Sequence, residues 1–393
     1  MRYLISGYYG EGNAGDEAIL AGIIQEIRRY DPRAHFRVMS FSPHDTRMRH
    51  GVESLSTSLR DPKALADAVR WADLVISGGG SMLHEADFAL YGRHFLFRAG
   101  KLRPIPYFLS VVGFARALGR PVMWYAQGLG PLHTRAARAT VGMMGSASQV
   151  IAWRDREAAA LAAEVGVRSA VQMVVPDPAY ALEPCSRAAA REVLAEWAVP
   201  LTGRLLAVCP RPWLNRTEYK RQLVRALARV VFDENCFIIF LPFQQRSDGP
   251  LCRELAADSQ LSGRSFDLHF VDDPSLLAGL LREADVAVTM RLHAGILAAA
   301  AGTPAAAIAY DPKVGSFARQ TGQDRYVVTA DELETENGGA KLEALLRDSL
   351  VNDAQRRRKL ASAVAPLRRA VGRTACVAVQ LAAGELLRCG RAG

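Results

Sequence analysis

Between Phe88 and Arg154 the chain contains no Asp and no Glu. It also lacks any run of about 18 strongly apolar residues, which argues against a membrane-spanning helix. The longest uncharged candidate, Ala294 to Tyr310, is mostly alanine and is broken by Gly302-Thr303-Pro304. A basic start, an apolar core and a cleavage site do not follow one another at the N-terminus, so no secretory leader is expected. The six cysteines (Cys185, Cys209, Cys236, Cys252, Cys376 and Cys389) have neither C-x-x-C nor metal-ligand spacing. They are expected as reduced thiols of a cytosolic protein, with no metal site.

With 50% of its 393 residues hydrophobic, the chain can bury a large core, and its length favours two domains. The net charge of +9 is unevenly spread. The acid-free stretch holds Arg93, Arg98, Lys101, Arg103, Arg116, Arg120, Arg135, Arg138 and Arg154, and the rest of the chain balances 40 basic against 40 acidic residues. Tyr91, Phe95, Phe97, Tyr107, Phe108 and Phe114 are interleaved with these cations. Such a segment suits an anionic partner: a membrane face, a lipid pyrophosphate or a nucleic acid. The bland alternative is a solvated face in an arginine-rich protein, where Arg supplies 43 of 49 cations. No nucleic-acid motif accompanies it.

Strand-like and helix-like segments alternate. Strands are expected at Tyr3–Ser6, Phe36–Phe41, Leu74–Ser77, Pro121–Ala126, Leu205–Val208, Phe237–Leu241, His269–Val271, Val286–Thr289 and Ala305–Ala309. Helices are expected from about Asp16 to Tyr30 and at Ala64–Trp71, Tyr219–Phe232, Pro274–Arg282 and Ala294–Ala301. Glycine loops follow several strands, as at Gly78-Gly79-Gly80 and Gln127-Gly128-Leu129-Gly130. Strand, glycine loop and helix in repetition imply parallel α/β sheets, which bind ligands at the carboxyl ends of their strands. Val175 to Pro184 reads as a linker. The expected division is 1–178, 179–351 and a basic helical tail, 352–393, able to cross back to the first domain.

Gly10, Gly12 and Gly15 spell G-x-G-x-x-G before a helix. A dinucleotide site also needs an acid closing the second strand, where it binds the ribose. Phe36-Arg37-Val38-Met39-Ser40-Phe41-Ser42 has none, so the fingerprint fails. A glycine turn remains, carrying Asn13, Asp16 and Glu17 at a helix start. Asp16 is either a helix N-cap or, with Glu17, a carboxylate that handles a hydroxyl.

Arg291 and His293 leave the strand Val286–Thr289, and Lys313 follows the strand Ala305–Ala309. With the N-terminus of the alanine-rich helix they would form a compact anion site. Arg154 and Arg211 leave two further strands, and His84 and Glu85 follow the Gly78–Gly80 loop as candidates for acceptor binding or proton transfer.

Together these residues resemble the polysaccharide pyruvyl transferase family, in particular its CsaB-type enzymes of bacterial cell-wall polymer synthesis. The matching stretches run in order from residue 7 to about 314: GYYGEGNAGDEAIL, ISGGGSMLHE, YAQGLGPL, WRDREA, PDPAYAL, PRPW, LPFQQRSD and MRLHAGILAAAAGTPAAAIAYDPKV. Two departures are small: Thr289 stands where many relatives have serine before Met-Arg, and Leu83-His84-Glu85 is looser than the glycines before it. The resemblance implies a GT-B-like α/β fold, two Rossmann-like parallel-sheet domains facing an interdomain cleft, without cofactor or metal. It implies transfer of the enolpyruvyl unit of phosphoenolpyruvate to a sugar diol as a cyclic ketal. For CsaB-type members the acceptor is an N-acetylmannosamine residue on a lipid-pyrophosphate-linked intermediate, and the product anchors S-layer proteins.

By resemblance, His293 and Lys313 bind phosphoenolpyruvate in the C-terminal domain, supported by Arg154, Arg211 and Arg291. Asp16, with Glu17 or Glu85, handles the sugar hydroxyls. Gly12, Asn13, Gly79, Gly80, Ser81, His84 and Gln127 line the acceptor side. A sugar-nucleotide glycosyltransferase on the same fold is the alternative. The location implied is cytoplasmic, peripheral at the inner face of the membrane, with the 88–154 segment as platform and no nucleic-acid partner. Vesicle binding is then expected to require anionic lipid and to weaken as salt is added; salt-insensitive binding, or none, removes the platform.

Overall fold

The computed structural model describes residues 1–57, 61–85, 97–98, 101–102, 104–269 and 271–386. Within the acid-free stretch, Phe88, Tyr91, Arg93, Phe95 and Arg103 lie outside the described residues, as do the side chains of Phe97, Arg98 and Lys101. The chain divides into two discontinuous units. The first comprises Met1–Glu11, Ile19–Ala181 and Arg368–Gly393; the second comprises Gly12–Ala18 and Leu182–Leu367.

The first unit contains β1 (Arg2–Ser6), β2 (His35–Ser40), β3 (Glu53–Ser56), β4 (Leu74–Leu83), β5 (Phe97–Arg98), β6 (Lys101–Leu102), β7 (Val122–Leu129), β8 (Val150–Trp153) and β9 (Val171–Val174). β5 and β6 pair only with each other, antiparallel. The other seven form a parallel sheet in the order β3-β2-β1-β4-β7-β8-β9. Tyr3, Leu4 and Ile5 on β1 and Leu74, Val75 and Ile76 on β4 are fully buried, as central strands covered on both faces must be. From the helix Ala14–Tyr30, Ile19, Ile23 and Ile27 recur every four residues and pack into the core with Tyr3, Ile5 and Ile76.

The second unit contains β10 (Arg204–Cys209), β11 (Cys236–Phe240), β12 (Ser265–Asp267), β13 (Val286–Thr289), β14 (Ala305–Ala309) and β15 (Val327–Thr329). They form a six-stranded sheet in the order β12-β11-β10-β13-β14-β15. In each sheet the order reverses beside the first strand, between β1 and β4 and between β10 and β13. Those are the switch points at which open α/β sheets bind ligands.

Several expectations shift. The Gly78–Gly80 loop is strand: β4 runs on to Leu83, pairing Gly78 with Tyr125 and Gly80 with Gln127. Gly79 fits there because a Cβ would lie 2.9 Å from Ile19 and 3.2 Å from the Tyr125 carbonyl. β7 likewise takes in Gln127, Gly128 and Leu129. The strand expected at His269–Val271 lies earlier, at Ser265–Asp267, because β11 pairs in register with Ser265, Phe266 and Asp267. The expected linker carries a buried 3-10 turn, Pro178–Ala181, whose Pro178 carbonyl lies 2.3 Å from where a Cβ on Gly22 would stand.

The described part of the acid-free stretch is partly structural. Phe108 is core, Arg138 pairs with Glu164, and the Arg154 side chain is 7% exposed. Arg116 and Arg135 remain exposed. No described helix is long and apolar enough to cross a membrane.

All five described cysteines are free thiols. Burial raises the Cys209 and Cys252 thiols and pushes Cys236 up to about 11. Since the thiolate is the reactive form, these three are expected to resist alkylation at pH 8 in the folded protein and to react once it is denatured. Mass mapping that found them modified as fast as Cys376 would contradict this.

Candidate functional site

The second unit gathers charged side chains along the C-terminal edge of its sheet. β10 ends at Cys209, in register with Thr289 at the end of β13, and the Met290 N–H donates to the Cys209 carbonyl at 3.1 Å. Arg211 lies two residues beyond β10. Arg291 is the N-cap residue of the helix Leu292–Ala301 and makes no side-chain cap. The helix starts two residues earlier than expected, so His293 stands in its first turn, where the N–H groups and the helix dipole favour an anion. Beyond β14, Asp311 caps the helix Pro312–Gln320 by accepting the Lys313 N–H at 2.9 Å, leaving Lys313 exposed. Arg211, Arg291, His293 and Lys313 thus leave three neighbouring strands at the switch point.

Their tasks differ. Arg291 forks onto Asp248, with Nε to Oδ2 at 2.9 Å and Nη2 to Oδ1 at 2.5 Å, and also reaches Ser247 Oγ and Gln244 Oε1. Asp248 is fully buried and also accepts the Gln244 N–H and the Ser247 hydroxyl. Arg291 was expected as an anion ligand; the geometry commits much of its guanidinium to fixing the turn that carries His293. Arg211 instead stacks on Tyr310, 4.3 Å from guanidinium carbon to ring centroid, and donates to its hydroxyl. Its Nε is buried and meets no hydrogen-bond acceptor among the described residues. A buried donor left unmet is costly, and an anionic oxygen would meet it.

The segment Gly12–Ala18 belongs to this unit. Asn13 bridges to Gln244, and the Ala14 N–H donates to the Phe243 carbonyl at 2.9 Å. Gly15 lies against the imidazole: a Cβ there would fall 2.3 Å from His293 Nδ1. The helix begins at Ala14, and Asn13 Oδ1 accepts the Gly15 N–H at 3.0 Å. Asn13 therefore takes the capping position considered for Asp16. Asp16 is partly exposed in the first turn, and Glu17 beside it is 2% exposed. Gly12 adopts φ +67° with open space around it.

In the first unit, Gly79, Gly80, Ser81, His84, Gln127 and Arg154 come from the ends of β4, β7 and β8. Gln127 is fully buried, and its Nε2 donates to the Gly80 and Gly128 carbonyls at 3.0 and 2.9 Å. Arg154 donates to Ser81 Oγ at 2.5 Å and lies 3.6 Å from the buried Asp177 carboxylate. Arg154 thus falls in the first unit, and Arg211, Arg291, His293 and Lys313 in the second. Glu85 is 3% exposed and accepts the His133 and Thr134 N–H groups at 2.6 and 2.8 Å, and the Thr134 hydroxyl at 2.8 Å. It pins the start of the helix Arg135–Ser146. No group of three or more His, Cys, Asp or Glu among the described residues is placed to hold a metal.

Two residues carry weight here without having been singled out. Asp248 closes the stretch LPFQQRSD, and only its membership of a recognised stretch could have flagged it. Tyr310 directly precedes the Asp311 cap.

Two parallel Rossmann-type sheets place the chain in the α/β fold class of GT-B glycosyltransferases. Anabaena HepE in complex with UDP-glucose is 13% identical, with a TM-score of 0.57, over 99% of this chain and 100% of that one. The S. aureus MnaA–UDP structure is 10% identical, with a TM-score of 0.62, over 98% of each. UDP-GlcNAc 2-epimerase from Methanocaldococcus jannaschii is 11% identical, with a TM-score of 0.61, over 89% and 93%. No curated protein matches the chain. The sequence profile described as polysaccharide pyruvyl transferase matches residues 13–312, and the chain belongs to that family of transferases.

Replacing Arg291 by alanine would strand the buried Asp248 carboxylate. The second unit is expected to lose about 3–5 kcal/mol in urea unfolding, with Arg291→Lys intermediate because it keeps the charge and loses the fork. A loss for Arg291→Ala below about 1 kcal/mol, the level of an exposed pair, would contradict the structural assignment.

Proposed function

We propose that the chain transfers the enolpyruvyl unit of phosphoenolpyruvate to two neighbouring hydroxyls of a sugar, forming a cyclic pyruvate ketal and releasing phosphate. The acceptor in this reading is an N-acetylmannosamine residue of a lipid-pyrophosphate-linked cell-wall intermediate, and the product is a polymer that anchors S-layer proteins. The observation that carries the donor assignment is the unmet, buried Arg211 Nε–H, on the same sheet edge as His293, Lys313 and a helix N-terminus. Phosphoenolpyruvate brings a phosphate and a carboxylate, and charge-assisted hydrogen bonds from such groups satisfy both.

The chemistry balances without a cofactor. A proton adds to the methylene carbon, C2 becomes electrophilic, and one sugar hydroxyl adds to it and gives up its proton. The neighbouring hydroxyl then displaces phosphate from C2 and closes the ring. Arg211 and Lys313 hold the donor's anionic groups, and His293 presents its imidazole to it. Asp16 and Glu17, one and two residues beyond Gly15 in the same helical turn, orient the hydroxyls and take their protons. Ser81, His84 and Gln127 in the first unit serve the acceptor, Arg154 holds Ser81 in place, and Gly79 and Gly80 leave room for it. Peripheral attachment to the inner membrane face goes with a lipid-linked acceptor.

Phosphoenolpyruvate and a chromophoric β-N-acetylmannosaminide are incubated with the protein, and phosphate release and product mass are followed together. A ketal product is expected, with kcat/KM lowered by about 100-fold or more in His293→Ala and Lys313→Ala. Gly15→Ala is expected to depress it too, by displacing the imidazole. Turnover of a nucleotide sugar, with no phosphate released from phosphoenolpyruvate on that acceptor or on a lipid-linked disaccharide, would replace this reading with a glycosyltransferase.

A further inference from the structure

The second unit carries a cavity of about 500 Å³ that the proposed reaction does not use. Its wall includes Gln323, Arg325, Tyr326, Asn352, Arg356 and Lys359. These residues come from the turn before β15 and from the start of the helix Asp353–Ala382. The cavity adjoins the N-terminal edge of the sheet. Gln323 Oε1 accepts the N–H of Ala305, the first residue of β14, at 2.7 Å, and Arg356 Nη2 donates to the Ala305 carbonyl at 2.8 Å. Arg211, Arg291, His293 and Lys313 all follow the opposite, C-terminal ends of their strands. Along β14 the two edges are separated by ~13 Å of extended chain.

Arg356 is the unusual group. It is 7% exposed, yet its guanidinium forms no ion pair with a described carboxylate; it donates to neutral acceptors, Ser349 Oγ, the Ala305 carbonyl and Gln323 Oε1. Its guanidinium carbon lies 3.4 Å from the Tyr326 ring centroid. The two carboxylates whose charge reaches it are engaged elsewhere. Asp353 holds Arg357 Nε at 2.7 Å; Asp348 accepts the Tyr326 hydroxyl and Asn352 Nδ2. Burial pulls the Arg356 guanidinium down to about 10, as desolvation does to a cation short of countercharge. Lys359 and Arg325 stand exposed on the wall, and Asp324 is its other acid. A buried cation is stabilised when an opposite charge comes to it, and the cavity has the size of small-molecule sites, roughly 300–1,000 Å³.

We propose that this cavity is a second ligand site, which binds a small metabolite bearing an oxyanion, phosphate or carboxylate, against Arg356, Arg325 and Lys359. Asn352 and Tyr326 meet the polar remainder of the ligand. The site is distinct from the donor edge and does not depend on the identity of the donor.

The full chain is titrated with inorganic phosphate and, separately, with acetate, each against sodium chloride at matched ionic strength. Amide exchange is followed at residues 321–326 and 352–360. Saturable protection by phosphate, acetate or both is expected, and which anion protects identifies the oxyanion. Lys359→Glu and Arg325→Glu on the wall, and Arg356→Gln where it folds, are expected to weaken the apparent affinity at least tenfold. Lys313→Ala, at the donor edge, is expected to leave the protection unchanged. The proposal is overturned by the absence of protection with either anion, by equal protection with chloride, by indifference to Lys359→Glu, or by loss of protection in Lys313→Ala.

Discussion

A carboxylate with no access to water organises the second unit. Asp248 sits at full burial and is stabilised by four hydrogen-bond donors, two of them on the Arg291 guanidinium. An ionised group taken out of water is tolerated only when charge and hydrogen bonds replace the lost hydration. The geometry that satisfies Asp248 therefore also fixes the exit of β13 against the start of the helix Gln245–Ala256. His293 follows Arg291 by two residues, so the imidazole inherits its position from that pair. The same rigidity sets the direction in which the helix Leu292–Ala301 presents its N-terminus. A ligand that needs several cations in one place needs them held apart from one another, and a buried counterion does this for one of them.

Backbone economy does similar work at Gly15. With a hydrogen in place of a side chain, the first turn of the helix Ala14–Tyr30 comes up against His293 at a distance that a methyl group would not allow. The glycine triplet thus resembles a dinucleotide fingerprint in spelling and differs in purpose. Gly10 turns at φ +82° beside Ser40 in the first unit, whereas Gly15 gives way to a side chain in the second. In the first unit Gly79 answers a related need, since β4 there lies too close to Ile19 and to the β7 carbonyls for a larger residue.

The sheet of the second unit separates two kinds of chemistry by its strand direction. Its C-terminal edge collects side chains from loops that vary freely without disturbing the core, which is where parallel sheets carry their sites. At its N-terminal edge, Arg356 and Gln323 close around the start of β14, and Arg357 meets the carbonyls of Gly302 and Ala284 at the ends of two helices, both at 3.0 Å. Those carbonyls carry the negative ends of the helix dipoles, so arginine is well placed there. The tail helix thus does both structural and electrostatic work, which its basic composition alone did not separate.

The alternation of apolar runs with glycine turns was enough to recognise parallel α/β sheets, because strands buried on both faces must be apolar throughout; β13 and β14 lie within the bounds that pattern marks. The charged residues at strand exits were legible for the same reason, since a strand's end dictates where its loop begins. Sequence by itself could not say which of these charges are spent on the fold. Arg291, Arg154 and Glu85 look alike on paper as site residues, and each is held by partners 43, 73 and 48 positions away. Nor could it show that Gly78–Gly80 continue a strand, because a glycine's conformation follows from what pairs beside it. Local pattern determined the elements and their order, through hydrophobic periodicity and backbone preference. Tertiary structure decided which ionisable groups were already neutralised, since desolvation and countercharge depend on distances between residues remote in sequence.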